Sequence, residues 1–403
     1  TIAAPSMMVP EAAAAGSLYV SAENAMFNNT FGGVQIVEVV VIGHADETDE
    51  AQGEPTVKVY EKQLRMAQAI DGNWYGYFGD DTKISAISTT SQPIGINFGD
   101  DYAPSSFPGG VVEGDFLEAT SVFAPNADSN NDVTLLNAPA LSNYNNTDAT
   151  NETVNGGEFK GIGQIGVNEE RWPFIQTYDF SIGLFDVVYE QAGADEVVTL
   201  DYNSADLDDY ASLELDRNSA SQDSEIHLTI TDNQLNIDPT GKDVVIFYVG
   251  ASGSEGVTFQ NRTVASPSVT AYTAFDNSFD DNGKLIINNQ TQGSTNILTM
   301  ATTDDDGTAD NLIVFYETAE NSGIFVNADD SDNSNIEVKT DAKRGYTATF
   351  DYNDSAQSFV VANDFGVLDM DEASVGDEWN SGEALTVTLI DQDLNKNTAS
   401  DED

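Results

Sequence analysis

A thirteen-residue stretch occurs twice in this chain, and the repeat constrains the fold more than any other feature of the sequence. Ile226-His-Leu-Thr-Ile-Thr-Asp232-Asn-Gln-Leu235-Asn236-Ile-Asp238 matches Leu385-Thr-Val-Thr-Leu-Ile-Asp391-Gln-Asp393-Leu394-Asn395-Lys-Asn397. Each copy reads as a β-branched strand running into a polar, carboxylate-rich turn. A second match lies upstream of each copy, Thr199-Leu-Asp201-Tyr202-Asn203 and Thr349-Phe-Asp351-Tyr352-Asn353. The separations, 159 and 150 residues, give a unit the size of a large sandwich domain with nine residues inserted in the second copy. After the first turn the chain runs through Lys242 into the apolar run Val244 to Val249, whereas only Ser400-Asp-Glu-Asp403 follows the second. A sandwich without that strand has an open edge, so the expectation is a second copy cut short within a longer natural polypeptide.

Strand signals dominate the remainder. Runs bounded by Gly, Asn and Asp predict strands at Val34 to Ile42, Thr56 to Tyr60, Val197 to Asp201, Glu225 to Thr231, Val244 to Val249, Lys284 to Ile287, Asn311 to Tyr316, Thr347 to Phe350 and Leu385 to Ile390. The one helix-like stretch is Tyr60 to Ala69. Many strands at regular spacing with polar turns predict an all-β protein of tandem immunoglobulin-like β-sandwich domains. The expected division is an N-terminal extension over 1–16, N-terminal β domains over 17–185, one sandwich over 186–310 and a truncated one over 311–403. Trp74-Tyr-Gly-Tyr-Phe78 alternates around glycine and reads as a core strand with Trp74 and Phe78 on one face, rather than as a stacking platform for a ligand.

Charge bounds the function. Sixty-nine Asp and Glu stand against 14 Lys and Arg, with two His, for a formal net charge of -55 over 403 residues. A chain with no basic face is excluded as an ordinary nucleic-acid binder. The carboxylates are spread from Glu11 to Asp403 among apolar runs, and 40% of residues are hydrophobic, so this is an acid-coated folded chain, not a disordered acidic tail. Self-repulsion on that scale requires counter-ions, which makes small cations its natural partners. Cysteine is absent, which removes disulfides and thiolate metal sites. No apolar run approaches the ~20 residues of a membrane helix. The first residue is Thr, and the small, apolar opening Thr1 to Ala15 reads as the start of a secreted chain after signal removal. Six Asn-x-Ser/Thr sequons, at Asn28, Asn145, Asn151, Asn261, Asn289 and Asn353, fit an extracellular, glycosylated location.

The two repeat turns are the candidate metal sites. Asp391, Asp393, Asn395 and Asn397 place an oxygen donor at every second residue, with Glu402 at the twelfth position of the segment. The first copy offers Asp232, Asn236, Asp238 and, at its twelfth position, Asp243, with Gln234 in between. Calcium takes six to eight oxygens, and one looping segment can supply several, so structural calcium is the cofactor expected here. Ile237 and Lys396 stand where an EF-hand needs glycine, and solvated turns are the competing reading. Catalytic motifs are lacking: no Gly-x-Ser-x-Gly, no His-Glu-x-x-His and no phosphate loop occurs, and the chain reads as a non-enzyme. Gly161-Ile-Gly163-Gln-Ile-Gly166 matches the dinucleotide fingerprint literally, but it runs into Glu169-Glu170-Arg171 in a β context, which makes it a glycine-rich turn. His44 and His227 read as structural, and carboxylate pairs for glycoside hydrolysis carry no signal in so acidic a chain.

Leu18-Tyr-Val-Ser-Ala-Glu-Asn24, Phe27-Asn-Asn-Thr30, the run Val34 to Ile42, Gly53-Glu-Pro55, Leu64-Arg-Met-Ala-Gln68 and Asp71-Gly-Asn-Trp-Tyr-Gly-Tyr-Phe78 resemble the opening of the surface-layer proteins of ammonia-oxidising archaea. The Asp391 to Asp403 segment also resembles stretches that recur in that family. The match is specific over residues 17 to 80 and at the repeat turns, and compositional between them. The resemblance implies a secreted, glycosylated chain that self-assembles, as hexamers, into a porous lattice around the cell and concentrates ammonium. Two other readings remain at this point: an extracellular carbohydrate-active protein on sandwich modules, and an adhesive protein whose charge is adapted to salt.

Overall fold

The structure is a computed structural model that describes residues 17–44, 47–88, 97–107, 116, 118–125, 136–144, 153–154, 157–158, 161–248, 257–259, 283, 285–288, 296–300, 302–303, 309–310, 312–353, 355–371, 380–382 and 384–401. It is all-β, with two short helices, α1 (Asp81–Ser88) and α2 (Ser204–Leu207). Two compact units divide the described chain, one over 17–206 with Ile237–Gly241, the other over 207–236 and 242–401.

The first unit holds β1 (Ser17–Val20), β2 (Thr30–Phe31), β3 (Val37–Ile42), β4 (Val57–Val59), β5 (Lys62–Leu64), β6 (Ala67–Gln68), β7 (Trp74–Asp80), β8 (Asp100–Tyr102), β9 (Ser121–Ala124), β10 (Thr153–Val154), β11 (Gly157–Glu158), β12 (Ile175–Tyr178), β13 (Gly183–Tyr189) and β14 (Glu196–Tyr202). One sheet runs β1-β3-β7-β12-β9-β8 with β6 beside β7, and a second runs β2-β14-β13-β4-β5. Period-two burial makes these sheets one core. Val37, Val39, Val41, Trp74 and Phe78 point inward from the first sheet, and Phe185, Val187, Leu200 and Tyr202 from the second. Phe31 meets Phe78 edge-on at 6.1 Å, and Phe180 stacks on Phe185 at 5.0 Å. Trp74 and Phe78 thus share the buried face that their spacing predicts.

The second unit holds β15 (Ser212–Leu215), β16 (Ser219–Ala220), β17 (Leu228–Thr231), β18 (Val244–Tyr248), β19 (Val257–Phe259), β20 (Leu285–Asn288), β21 (Leu298–Met300), β22 (Thr302–Thr303), β23 (Ala309–Asp310), β24 (Leu312–Glu317), β25 (Ile324–Val326), β26 (Ile336–Val338), β27 (Thr347–Tyr352), β28 (Gln357–Val361), β29 (Val367–Met370) and β30 (Val387–Ile390). Its sheets run β15-β17-β25-β24-β18-β19 and β16-β28-β27-β20, with ribbons β21-β26, β22-β23 and β29-β30. Phe247 on β18 meets Phe315 on β24 at 5.4 Å and Tyr352 on β27 at 6.0 Å, so this core too joins two sheets.

Three expectations differ from this architecture. Tyr60 to Ala69 is a hairpin instead of a helix, because Tyr60 (φ 52°) and Glu61 (φ 63°) both take left-handed backbone and turn β4 straight into β5. The longer helix is α1, on a stretch with no strong periodicity. The division also moves. A boundary at 185/186 cuts β13, whose register with β14 (Val187↔Val198) and β4 (Val187↔Val59) belongs to the first unit. A boundary at 310/311 separates β24 from its partner β18 (Ile246↔Val314). Residues 312–361 therefore complete the two larger sheets of the second unit, and among the described residues β29 and β30 pair only with each other.

Candidate functional site

The repeated turns are local devices built by their own residues. Asp232 leaves β17 with extended backbone, and its Oδ1 accepts from Gln234 N at 2.8 Å, capping a 3-10 turn over Asn233–Leu235. Asp391 leaves β30 in the same way, and its Oδ1 accepts from Asp393 N at 3.0 Å to cap Gln392–Leu394. Asn236 and Asn395 end the turns with nearly equal dihedrals, φ -85° and ψ 88° against φ -78° and ψ 96°. The next carbonyls are held by backbone amides: Ile36 N donates to Ile237 O at 3.1 Å, and Glu225 N to Lys396 O at 2.8 Å. One residue on, Asp238 Oδ1 accepts from Thr240 N and Asn397 Oδ1 from Ala399 N, both at 2.8 Å. A short polar side chain bonding the amide two residues ahead is the reason for the Asp and Asn at these places.

Hydrogen bonds engage some of the oxygens expected to bind calcium, both of Asp232 and one each of Asp238, Asp391, Asp393 and Asn397. Asp232 Oδ2 accepts the Tyr352 hydroxyl at 2.5 Å, so both its oxygens face protein donors. Asn236 Nδ2 donates to Asn321 Oδ1 at 2.8 Å, and the Asp243 amide donates to Glu317 Oε2 at 3.0 Å. Asp232, Asn236 and Asp243 belong to the second unit and Asp238 to the first. Asp393 Oδ1 accepts from Asp364 N at 3.0 Å, the Asn395 carbonyl accepts from Arg217, and Asn397 Nδ2 donates to Asp332 O at 2.6 Å. Glu402 lies outside the described residues. Among the described residues no three His, Cys, Asp or Glu groups converge as a metal would need.

Scarce cations hold these connections. Arg217 donates to three carbonyls, Asn395 O at 2.7 Å, Lys396 O at 2.8 Å and Glu225 O at 2.6 Å, and pairs with Asp216 at 3.6 Å. Lys396 Nζ donates to Ser221 Oγ and to Gln222 O at 2.8 Å. The second turn lies across the second unit, beside a cleft of about 470 Å³ that Arg217, Asp364 and Asp393 help to line. In the first unit the buried Arg171 donates to Pro125 O at 2.8 Å and to the Tyr102 hydroxyl. Elsewhere Lys58 pairs with Glu190 at 2.5 Å and Arg65 with Glu54 at 3.0 Å, but 14 Lys and Arg cannot balance 69 Asp and Glu, which keeps the chain acidic.

Two buried carboxyls are displaced from ordinary values. Burial pushes Asp232 up to about 6, against the opposing bonds from Tyr352 and Gln234. Burial likewise pushes Glu317 up to about 7, although it accepts from Asp243 N, Gly323 N and Ser322 N. In the first unit burial raises Asp80, which caps α1 through Lys83 N at 2.9 Å and accepts a Tyr202 hydrogen bond. Sequence reading missed Tyr352, Asp80, Tyr202, Arg217 and Glu317. The signal available was the Asp-Tyr-Asn segment matched in β14 and β27.

The remaining motifs resolve as structure. Gly161, Gly163 and Gly166 form a tight loop closed by Ile162 N on Val167 O at 2.9 Å, followed by a three-residue 3-10 turn. A Cβ at Gly161 would lie 1.9 Å from Gly166 O, so glycine there serves close backbone approach. His44 bonds the Tyr189 hydroxyl at 2.7 Å and Gly53 O at 3.0 Å, and His227 bonds Thr398 Oγ1 at 3.0 Å. Asn28 is an exposed left-handed C-cap, whereas the Nδ2 of Asn353 is buried. Asn145, Asn151, Asn261 and Asn289 lie outside the described residues. No described helix is long and apolar enough to cross a membrane. Compared with known proteins, the chain matches no family model and no curated protein.

Proposed function

We propose that this chain is a structural surface-layer protein, built of tandem immunoglobulin-like modules, that assembles outside the cell into a porous acidic lattice and acts as a charge-selective sieve. The observation that carries this reading is the net charge of -55 spread over an all-β scaffold with a repeated turn. The resemblance of residues 17 to 80 to archaeal surface-layer proteins supports it. A surface potential of a few kT enriches a monovalent cation such as ammonium on the order of ten-fold and depletes anions by the same factor. At ~0.1 M salt the effect reaches about 10 Å, which confines it to narrow pores and the layer's own surface. Exposed Asn28 is the described sequon best placed to carry glycan.

Electron microscopy of the purified protein, with calcium added, tests the assembly. The expected result is a two-dimensional lattice of hexamers; a protein that stays monomeric at every divalent-ion concentration overturns it. Equilibrium dialysis of assembled sheets then tests the sieve. Ammonium should exceed chloride inside the sheets at low ionic strength, with the excess collapsing as salt is added.

A further inference from the structure

Among the described residues three strands run into an aspartate that caps the next helix or turn, and two of these aspartates hold a tyrosine. Asp80 ends β7, caps α1 and accepts from Tyr202 of β14. Asp232 ends β17, caps Asn233–Leu235 and accepts from Tyr352 of β27. Tyr202 and Tyr352 occupy the same place in the two matched segments, Thr199 to Asn203 and Thr349 to Asn353. In both units the tyrosine follows its aspartate by about 120 residues, the length of one module. The two short motifs seen in sequence are thus the two halves of one latch, the aspartate opening a module and the tyrosine closing it.

Asp391 is the third aspartate and has no tyrosine among the described residues. Its Oδ1 caps the turn through Asp393 N, and its Oδ2 accepts no hydroxyl. The strand before it is equally unpartnered. Leu228, Ile230 and Leu235 of the latched copy are each 0% exposed, while the matching Val387, Leu389 and Leu394 are 48%, 55% and 58% exposed. Among the described residues β30 pairs only with β29, through Val367↔Ile390 to Met370↔Val387, and every residue of both strands is exposed. A two-stranded apolar ribbon is marginal alone in water and needs further strands on its face.

We propose that β29, β30 and the turn after them form the opening corner of a third unit, closed by a Thr-x-Asp-Tyr-Asn strand whose tyrosine donates to Asp391 Oδ2. Both precedents are intramolecular and equally spaced, so the strand comes from polypeptide following residue 403, about 120 residues beyond Asp391. Closure buries Val387, Leu389 and Leu394 as their counterparts are buried in the second unit.

The coding sequence downstream of residue 403 gives the first test: a chain without such a tyrosine segment there overturns the proposal. Hydrogen exchange of amides 387–394 gives the second, comparing the complete natural polypeptide with chain 1–403. Exchange should be at least ten-fold slower in the complete polypeptide, and changing the third tyrosine to Phe should return much of that loss. Tyr352→Phe should instead free amides 228–235 and leave 387–394 unchanged. Equal exchange in the two lengths overturns the proposal. So does protection that chain 1–403 acquires alone as its concentration rises, which would make a second copy the occupant.

Discussion

The turn at Asp232 and the turn at Asp391 share a backbone and differ in everything around it. Both cap a three-residue 3-10 turn through the amide two residues ahead, and both end at an asparagine with nearly the same dihedrals. Around the first lie Tyr352, Phe247 and the strands of the second unit; the second rests on Arg217 with its strand in solvent. Thirteen residues therefore fix their own local geometry without a core. Burial, the tyrosine bond and the raised pKa of Asp232 come from strands far away in sequence.

The contrast can be broken most forcefully by truncating matched apolar residues. Ile230→Ala should cost the second unit about 2–5 kcal/mol in a denaturant melt, since Ile230 is fully enclosed. The matched change Leu389→Ala in chain 1–403 should stay within about 0.5 kcal/mol. Similar losses at both positions would place β30 in a core.

Acidity gives the next largest effect. An acid whose folded value lies above its unfolded one binds its proton more tightly when folded, so stability is greatest at low pH and falls as pH rises from the unfolded to the folded value. For Glu317, raised from 4.5 to about 7, the second unit should lose on the order of 3 kcal/mol between pH 4.5 and 7.5. Asp232, raised from 3.8 to about 6, adds a loss of the same sign between about pH 4 and 6. Glu317→Gln should flatten the slope of melting temperature against pH whatever it does to the absolute value, and an unchanged slope would rule Glu317 out as its source.

Tyr352→Phe should cost about 1–3 kcal/mol by leaving Asp232 Oδ2 buried without its donor. The parallel change Tyr202→Phe should weaken the first unit through Asp80, read by differential melting of the two units. The smallest effect should come from chelation. With both oxygens of Asp232 engaged by protein donors, calcium removal should leave the melt of the second unit unchanged while loosening assembled sheets, as light scattering would report.

The strands were legible because β-branched runs between Asp, Asn and Gly leave little choice of structure, and the repeat predicted two turns of one geometry. The helix assignment failed at Tyr60, where two left-handed residues override the propensities of Lys62 to Ala69. Module boundaries failed for a deeper reason. Both motifs of the repeat were readable, but grouping Thr199 to Asn203 with Asp232 as one copy joins the end of one module to the start of the next. The latch links residues about 120 positions apart, and pairing of that range is set by the core between the strands, which periodicity along the chain does not encode. Alternate-residue oxygens fit an ion site and a capped turn alike, because capping and calcium binding call for the same side chains, and the capping is the part the structure shows. Arg217, which binds the second turn's carbonyls, left no trace in the local pattern.

The binding of Arg217 to backbone carbonyls also bears on the ion inventory. A side chain such as Arg217, bound to three carbonyls, is not available to exchange places with a cation from the medium. The compensating ions must come from outside, and 55 net charges on 43.2 kDa correspond to about 1.3 moles of mobile monovalent cation per kilogram of protein. In bulk, the capacity to hold exchangeable cations is set by the count of Asp and Glu side chains.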